Sequence, residues 1–501
     1  MYAQPMHDPV ETMTKPDRYP DIRRSLALLL LAALAAAGCS PEAPAERSTS
    51  ADEDRTPVDL IVAGDYVVAM DDDWTLIENG AVAVADGRIV AVDTAEAVDA
   101  AYAAAERIAG DNRVVLPGLI NGHTHAAMSL LRGIADDYAL MDWLNNYIFP
   151  AEVAFVDAEF VRIGTELACW EMIRGGTTMF VDMYYYPDTI AEVVESCGLR
   201  AMVTTAVLDQ RTPDAEGAGD ALAKGIEYVE RWQGRSERII PAFGPHSNYT
   251  LKPEHLAAVR DAAQQLGVPM SIHLSESPFE VEMTRENYGT TTITMLEEMD
   301  FFAVKTIGAH VVWPQPEEIP VLVERRVGAI HNPTSNMKTA AGVSPVTEML
   351  AAGVLMGLGT DGAASNNDLD MWEEMRLAAF LQKVEEMDPQ ALPAEAVLRM
   401  ATSGGAEAIG LGEEIGSLEP GKRADIIQVS FDDVHFVPTY DVTSHLVYVA
   451  DEQDVVTTIV EGRVLMRDGE ILTIDTERVA READALAAKI TAGLAERQQN
   501  R

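Results

Sequence analysis

The chain has 501 residues, of which 48% are hydrophobic, so it is long enough for more than one domain and for large buried cores. Lysine and arginine number 37 against 81 aspartates and glutamates, which gives a formal net charge of −44. No basic stripe can neutralise phosphates, so we expect no nucleic-acid partner. The three cysteines, Cys39, Cys169 and Cys197, are too few for a disulfide framework and match no zinc-knuckle spacing.

Residues 1–38 have the pattern of an export signal, with an over-long start before it. Arg23 and Arg24 precede a short apolar run, residues 26–37, which cannot span a bilayer as a stable helix. The following Ala-Gly-Cys39-Ser resembles a bacterial lipoprotein cleavage site, in which the cysteine becomes the lipidated first residue. We therefore predict a periplasmic or cell-envelope lipoprotein, attached to the membrane only through a lipid on Cys39. Simple cleavage among the preceding alanines is the alternative.

The part of the chain after Cys39 begins with a predicted flexible tether, residues 39–56, rich in Pro, Ser, Glu and Ala. Short strands separated by turn residues then fill two flanks, residues 57–116 and 417–475, with residues 446–449 among the predicted strands. Because both flanks have this pattern of short strands and turns, we predict that they join in one small β-sandwich. Residues 476–501 predict a terminal amphipathic helix.

Residues 117–416 alternate strands with helix-length segments, the pattern of a (β/α)8 TIM barrel of the α/β class. A doubly wound open sheet would need a Gly-rich phosphate-binding turn after its first strand, and the sequence has none. Eight barrel strands are predicted at residues 115–121, 178–182, 200–207, 239–244, 268–273, 306–310, 327–331 and 355–360.

His123 and His125 stand one residue apart at the end of the first predicted barrel strand. Alternate residues of a strand point to the same face, so both imidazoles leave the strand in one direction. This presents two nitrogen donors to a borderline metal such as Zn²⁺. Such a pair also arises by chance on surfaces, so further residues are needed to support a metal site.

Barrel enzymes carry their active sites where the strands end on the C-terminal side. Side chains that bind metal or titrate stand at many of the predicted strand ends: His123, His125, His246, His273, His310, His331 and Asp361. Their convergence on one rim favours a shared site over separate structural roles. The set His123, His125, His273 and Asp361 would give one divalent metal, Zn²⁺ or alternatively Fe²⁺ or Mn²⁺, its ligands and leave a position for water.

A metal at this rim would lower the pKa of its bound water from about 15.7 towards 7, which makes hydroxide available. Glu276, three residues after His273, is the predicted proton carrier, with helix capping as its alternative role. His310 would orient the hydroxide or stabilise developing negative charge. For His331, a structural role and a place in the site both stay open.

Several motifs together resemble those of metal-dependent amidohydrolases. They are Pro117-Gly-Leu-Ile-Asn-Gly-His-Thr-His125, Gly244-Pro-His246-Ser, His273-Leu-Ser-Glu276, His331-Asn-Pro-Thr-Ser-Asn336 and Gly359-Thr-Asp-Gly-Ala-Ala-Ser-Asn366. More narrowly, the chain resembles the methylthioadenosine/S-adenosylhomocysteine deaminase branch, which is related to the triazine chlorohydrolases. The resemblance covers residues 58–470.

The resemblance implies a reaction as well as a fold. Two-metal amidohydrolases carry a carboxylated lysine at the end of strand four, where this chain has His246, so one metal is implied. Hydroxide would attack a ring carbon, Glu276 would protonate a ring nitrogen, and Asp361 would bind metal and accept the proton of water. The implied substrate is a purine nucleoside such as methylthioadenosine, S-adenosylhomocysteine or adenosine. A guanine-like base, a pterin or a triazine is the alternative substrate, and solute binding without catalysis is the remaining alternative.

The resemblance also implies substrate contacts. Trp143 would pack on the base, Glu152 would accept hydrogen bonds from ribose hydroxyls, and His246 would contact the nucleoside. A core position for Trp143 and an exposed helix position for Glu152 are the alternatives. Arg211 is the candidate for an amino-acid carboxylate, but the second arginine expected within residues 212–224 is missing. The sequence leaves self-association into a homo-oligomer open.

Overall fold

The computed structural model describes residues 55–499. The predicted export signal, Cys39 and nearly all of the predicted tether lie outside the described residues, and Thr56 begins the first strand. Within the described range, none of the helices combines the length and the apolar composition that crossing a bilayer requires.

Strands occur in three groups along the chain. The first flank contains β1 (Thr56–Val68), β2 (Leu76–Ala85), β3 (Arg88–Thr94), β4 (Tyr102–Ile108) and β5 (Arg113–Pro117). The central region contains β6 (Leu119–Thr124), β7 (Thr177–Tyr184), β8 (Arg200–Val207), β9 (Ile239–Pro245), β10 (Met270–Leu274), β11 (Thr306–His310), β12 (Gly328–His331) and β13 (Leu355–Leu358). The second flank contains β14 (Ile426–Ser430), β15 (Val455–Val460), β16 (Arg463–Arg467) and β17 (Glu470–Ile471).

Helices lie in most of the connections between the central strands, in the first flank and after β13. They are α1 (Ala95–Ala101), α2 (Leu140–Trp143), α3 (Phe149–Phe155), α4 (Ala158–Arg174), α5 (Pro187–Cys197), α6 (Ala218–Trp232), α7 (Pro253–Leu266), α8 (Pro278–Tyr288), α9 (Thr292–Glu298), α10 (Ile319–Glu324), α11 (Pro333–Lys338), α12 (Val346–Ala352), α13 (Met371–Glu385), α14 (Ala394–Met400), α15 (Ser403–Ile409), α16 (Val442–Tyr448) and α17 (Thr476–Gln499). The last of these lies where the terminal helix is predicted.

The two flanks of the chain form one nine-stranded sheet, in the order β17-β16-β15-β14-β5-β1-β2-β3, with β4 also paired to β1. The antiparallel pairing of β5 with β14 joins the two flanks. Because β1 pairs with β4 over its first half and with β5 near its end, the sheet branches at β1. An apolar core that includes Leu60, Val82 and Ile426 takes buried side chains from both flanks.

The first predicted barrel strand, residues 115–121, is in fact two strands. β5 belongs to the nine-stranded sheet and β6 to the barrel, with Gly118 between them. A Cβ added at Gly118 would lie 2.1 Å from the side chain of Thr178, so only glycine allows the backbone to pass so closely.

The prediction of a strand at residues 446–449 is wrong, because residues 446–448 belong to helix α16. The carboxylate of Asp441 caps this helix by accepting a hydrogen bond from the amide of Ser444 at 2.7 Å. Leu446 and Val447 are both buried, and two neighbouring apolar residues fit either a helix or a strand in so short a segment.

The eight central strands form a parallel sheet in the order β13-β12-β11-β10-β9-β8-β7-β6, which confirms the predicted barrel class. Asn121 connects its two ends: its Nδ2 donates to Thr360 Oγ1 at 2.7 Å, and its Oδ1 accepts from the amide of Thr360 at 3.1 Å. The amide of Asp361 donates to the carbonyl of His123 at 3.0 Å. Closure of the barrel therefore places these two residues side by side.

Candidate active site

Two imidazoles face each other at the C-terminal end of the barrel, with 3.3 Å between His125 Nε2 and His273 Nε2. His125 Nδ1 donates to the carbonyl of Met183 at 2.6 Å, and His273 Nδ1 donates to the carbonyl of His246 at 2.8 Å. Carbonyl oxygens only accept, so each Nδ1 carries a proton and each Nε2 is directed towards the other ring. The space between the two Nε2 atoms therefore suits a shared proton or cation.

Asp361 and His123 complete the predicted set of metal ligands. Asp361 Oδ1 lies 3.4 Å from His123 Nε2 and 3.1 Å from His125 Nε2. His123 is fully buried, and within residues 55–499 neither of its ring nitrogens has a hydrogen-bond partner. Tetrahedral donors at zinc distances of about 2.0–2.1 Å lie about 3.3 Å from one another. The measured separations and the unpartnered imidazole therefore fit one divalent metal.

The carboxylate of Asp361 is held by two serines to which the sequence assigns no role. Asp361 Oδ2 accepts hydrogen bonds from Ser335 Oγ at 2.7 Å and from Ser365 Oγ at 2.8 Å. Both serines lie in motifs of the family resemblance, but their hydroxyls carry no metal-ligand signal of their own. Because Oδ2 is occupied, Oδ1 is the oxygen that faces the histidines.

His310 lies at the end of β11 and faces the same point. Its Nδ1 lies 2.9 Å from Asn336 Oδ1, an acceptor, so this nitrogen carries the proton. Its buried Nε2 has no hydrogen-bond partner among the described residues and lies 3.9 Å from Glu276 Oε1. The donor atoms of His123, His273, His310 and Asp361 all lie within 4.8 Å of one another, so His310 stands beside the predicted metal position.

Glu276 is buried next to this cluster, with 4% of its surface exposed. Its Oε2 accepts a hydrogen bond from the hydroxyl of Tyr249 at 3.1 Å. Burial raises the pKa of Glu276 above its ordinary value, which favours the protonated form that a general acid needs. Tyr249 has no motif around it, and sequence reasoning missed it.

Burial also sets the charge of the histidines. It lowers the pKa of His123 to about 4 and that of His246 to about 3, so both rings are neutral at pH 7, the form that binds metals. For His125, burial opposes the charge most strongly, but the Asp361 carboxylate, the Met183 carbonyl and the Asp182 carboxylate together outweigh it and raise the pKa to about 9. Burial likewise opposes the charge of Asp361, yet the adjacent imidazoles of His123 and His125 hold its pKa well below the ordinary value.

The predicted substrate residues Trp143, Glu152 and His246 line one small chamber of about 50 Å³ together with His125. Glu152 is 3% exposed and is not the exposed helix acid that was the alternative. Its Oε2 accepts a hydrogen bond from the hydroxyl of Tyr185 at 3.1 Å, and burial raises its pKa to about 7.

Two predicted candidates stand away from this chamber. The side chain of Arg211 is 71% exposed, lies 3.4 Å from Glu216 Oε1, and does not line the chamber, because its loop leaves it in solvent beside an acidic partner. His331 is fully buried, and neither of its ring nitrogens is hydrogen-bonded. It is not among the clustered donor atoms, and burial lowers its pKa to about 3.

A second cavity of about 360 Å³ adjoins the chamber, and the side chains of Leu144 and Phe149 line both. Its wall includes Asp209, Asn248 and Lys252. Asn248 is buried, and its Oδ1 has no hydrogen-bond partner. The larger cavity thus offers acceptors and one cation, whereas the chamber is mostly apolar.

Known proteins resemble this chain in sequence and in structure. The 5-methylthioadenosine/S-adenosylhomocysteine deaminase of Carboxydothermus hydrogenoformans is 48% identical over 387 residues, which are 77% of this chain and 88% of that protein. The 5'-deoxyadenosine deaminase of Methanosarcina mazei is 44% identical over 87% of this chain and 99% of that protein. The solved structure of an adenosine deaminase from Xanthomonas campestris with bound zinc is 36% identical, with a TM-score of 0.85, and covers 87% of this chain and 100% of that one.

The family model described as the amidohydrolase family matches residues 114–465, from β5 to β16. This match spans the barrel, its histidine cluster and the strands that join the two flanks. The chain belongs to the amidohydrolase family.

Proposed function

We propose that this protein is a zinc-dependent deaminase that removes the 6-amino group of a purine nucleoside as ammonia. One observation carries the proposal: the buried carboxyl of Glu276 lies 3.9 Å from His310 Nε2, beside the converging donors of a metal site. Hydrolytic removal of an amino group from a ring carbon requires an acid next to a metal site. The relatives, which are named as deaminases of adenosine-type nucleosides, support this substrate class.

His123, His125, His273 and Asp361 would hold the metal. When bound there, a divalent metal supplies Lewis acidity that brings the pKa of water close to neutrality. The nitrogen-rich donor set and the bound zinc of the Xanthomonas campestris relative support Zn²⁺ over Fe²⁺ or Mn²⁺. Metal analysis of the purified protein distinguishes the three.

The protein's own groups would handle the protons. Asp361 Oδ1 accepts a proton from water, since its Oδ2 is occupied by Ser335 and Ser365. Glu276 gives its proton to a ring nitrogen, and the Nε2 of His310 orients the attacking oxygen. The water oxygen bonds to C6 and the C6–N bond breaks. The hydrogen that Asp361 took from water passes to the amino group, which leaves as ammonia, and the second hydrogen of water returns to Glu276. No electrons are transferred to another molecule.

The nucleoside would occupy the chamber and the adjoining cavity together. The chamber alone is about 50 Å³, whereas ligand pockets usually measure about 300–1,000 Å³. The adjoining cavity, at about 360 Å³, supplies the volume that the chamber lacks. In this arrangement Trp143 packs on the base, Glu152 accepts hydrogen bonds from the ribose, and the 5' substituent passes Leu144 and Phe149 into the second cavity.

The second cavity suits a polar 5' substituent. Lys252 offers a cation for a carboxylate, and the Oδ1 of Asn248, unpartnered among the described residues, offers an acceptor for an ammonium group. The carboxylate of Asp209 is already paired with His255 and with the amide of Lys252. This combination supports S-adenosylhomocysteine as a substrate beside methylthioadenosine, although Arg211 stands outside the site.

An assay over a panel of heterocycles tests the proposed function, with ammonia release as the readout and chloride release as the additional readout for the chlorinated triazine. The panel contains methylthioadenosine, S-adenosylhomocysteine, 5'-deoxyadenosine and adenosine, with guanine, a pterin and a chlorinated triazine as alternatives. We expect turnover of the nucleosides in the zinc-loaded protein. Turnover confined to the other heterocycles would contradict a nucleoside substrate, and no turnover of any would favour solute binding.

We also propose that the mature protein is a cell-envelope lipoprotein anchored through Cys39. The support comes from the sequence pattern of residues 1–38 and the Ala-Gly-Cys39-Ser segment. Fractionation and mass spectrometry of the wild type and of Cys39→Ser test this location. We expect a lipidated, membrane-associated wild type and a variant that lacks the lipid; an unprocessed cytosolic wild type would contradict the proposal.

A further inference from the structure

A second buried glutamate stands behind the proposed proton donor. Glu280 lies in the first turn of α8 and is 0% exposed. Its Oε1 accepts a hydrogen bond from the amide of Ser275 at 2.9 Å, and its Oε2 accepts one from the amide of Glu276 at 2.7 Å. Both oxygens of one buried carboxyl group therefore hold the backbone at, and just before, the proposed proton donor.

The backbone at that point has an unfavourable conformation. Ser275 has a φ of 49°, in the left-handed region that favours glycine. Its own hydroxyl has no hydrogen-bond partner in the part of the chain that the structure describes, so the hydroxyl does not hold the turn. Its carbonyl accepts hydrogen bonds from the amides of Val312 and Trp313, at 3.0 and 2.9 Å. A strained turn of this kind persists only where its surroundings hold it in place.

The turn also determines where the Glu276 carboxyl group points. It connects β10, which carries His273, with the start of α8. The side chain of Glu276 leaves this turn towards His310, and Tyr249 hydrogen-bonds its far oxygen. Released from the left-handed conformation, the backbone at Ser275 would rotate and carry the Glu276 side chain away from both contacts.

We propose that Glu280 is a positioning residue that holds the left-handed turn at Ser275 and thereby fixes the Glu276 carboxyl group beside the metal site. The expected fall in kcat rests on the proposed function, whereas the expected position of the Glu276 carboxyl group does not. Glutamine at position 280 would direct an NH₂ group at one of the two backbone amides, so one hydrogen bond becomes a contact between two donors.

The experiment compares Glu280→Gln with a matched control, Glu282→Gln. Glu282 lies on the same helix, but its side chain is 64% exposed, and the one ion pair it makes with the described residues is with Arg285, at 3.9 Å. For Glu280→Gln we expect kcat for nucleoside deamination to fall about ten- to a hundredfold, with KM and bound zinc unchanged. The control should keep wild-type values.

A double variant separates positioning from a general loss of structure. Glycine adopts a positive φ without strain, so Ser275→Gly added to Glu280→Gln should restore most of the lost kcat. Rescue of this kind supports the proposal. Unchanged kcat in Glu280→Gln would overturn it, as would loss of zinc or of thermal stability that Ser275→Gly does not restore.

A crystal structure of zinc-loaded Glu280→Gln gives a readout that does not depend on the substrate. We expect the Glu276 carboxyl group to have left the Tyr249 hydroxyl and to return to it in the double variant. If the carboxyl group moves in this way but the wild type turns over no nucleoside, the proposed function is rejected and the inference is kept. An unmoved carboxyl group in Glu280→Gln would reject the inference alone.

Discussion

The amide of Asp361 donates a hydrogen bond to the carbonyl of His123 at 3.0 Å, so the segment after the last barrel strand is tied to the first strand. The two side chains face each other only because the barrel closes there, although the residues lie far apart in sequence. His273 joins them from a third strand, β10. A metal bound by these residues would therefore bind the folded barrel and not the unfolded chain.

The first prediction follows from this dependence on closure. A ligand that binds only the native state stabilises it, by about 2.7 kcal/mol when its free concentration is a hundred times its Kd. Zinc should therefore raise the Tm of the metal-free protein by several degrees in differential scanning calorimetry. In Asp361→Asn the zinc-dependent rise should shrink or vanish; a Tm that zinc does not change in the wild type would count against the site.

The second prediction separates metal binding from proton transfer. Glu276→Gln keeps the shape of the side chain but removes its transferable proton. We expect unchanged zinc content and a fall in kcat of about 10²- to 10⁴-fold, as for the loss of a general acid. Metal analysis and steady-state kinetics on one preparation check both quantities, and retained turnover would reject the role of Glu276.

The third prediction concerns the 5' substituent. Lys252→Met removes the cation of the second cavity and should lower kcat/KM for S-adenosylhomocysteine about tenfold, while methylthioadenosine is unaffected. Arg211→Met is the comparison, because that side chain is 71% exposed and lies beside Glu216. If Arg211→Met instead gives the selective loss, the amino-acid tail binds near Arg211 and the assignment to Lys252 is wrong.

The fourth prediction uses the buried carboxyl of Glu152. Burial raises its pKa from 4.5 to about 7, so between these values the native state holds a proton that the unfolded state has lost. The contribution of Glu152 is therefore fully present below about pH 4.5 and is lost as the pH rises to about 7, by at most about 1.4 kcal/mol per pH unit. Urea unfolding from pH 5 to 8 should show this decline in the wild type and a shallower one in Glu152→Gln. Parallel curves would contradict it.

The sequence predicts those elements whose signal lies within the element itself, and it fails where the structure depends on contacts between residues far apart in the chain. Strand periodicity and turn residues give β8 and β11 with their observed bounds, because buried parallel strands are continuous apolar runs. The apolar segment at residues 446–449 fits either a helix or a strand, and its residues 446–448 are helical. The split at Gly118 depends on a contact with Thr178 from another strand, which no local pattern contains.

In the candidate site, too, some residues are predictable from the sequence and others are not. Residues at strand ends converge because of barrel topology, and the sequence therefore predicts His123, His125, His273 and Asp361 as a group. The groups that hold them come from positions without a local signal. Tyr249 reaches Glu276 from the loop after β9, and Tyr185 reaches Glu152 from the end of β7. Such contacts depend on side-chain conformation and burial, which only the folded structure provides.

The most direct test of the account is metal removal and restoration. The protein is treated with a strong chelator until metal analysis finds no bound metal, assayed for ammonia release from methylthioadenosine, and assayed again after one equivalent of Zn²⁺ per chain is added. We predict loss of activity in the metal-free protein and its return at a stoichiometry of one. Full activity without bound metal would contradict the account.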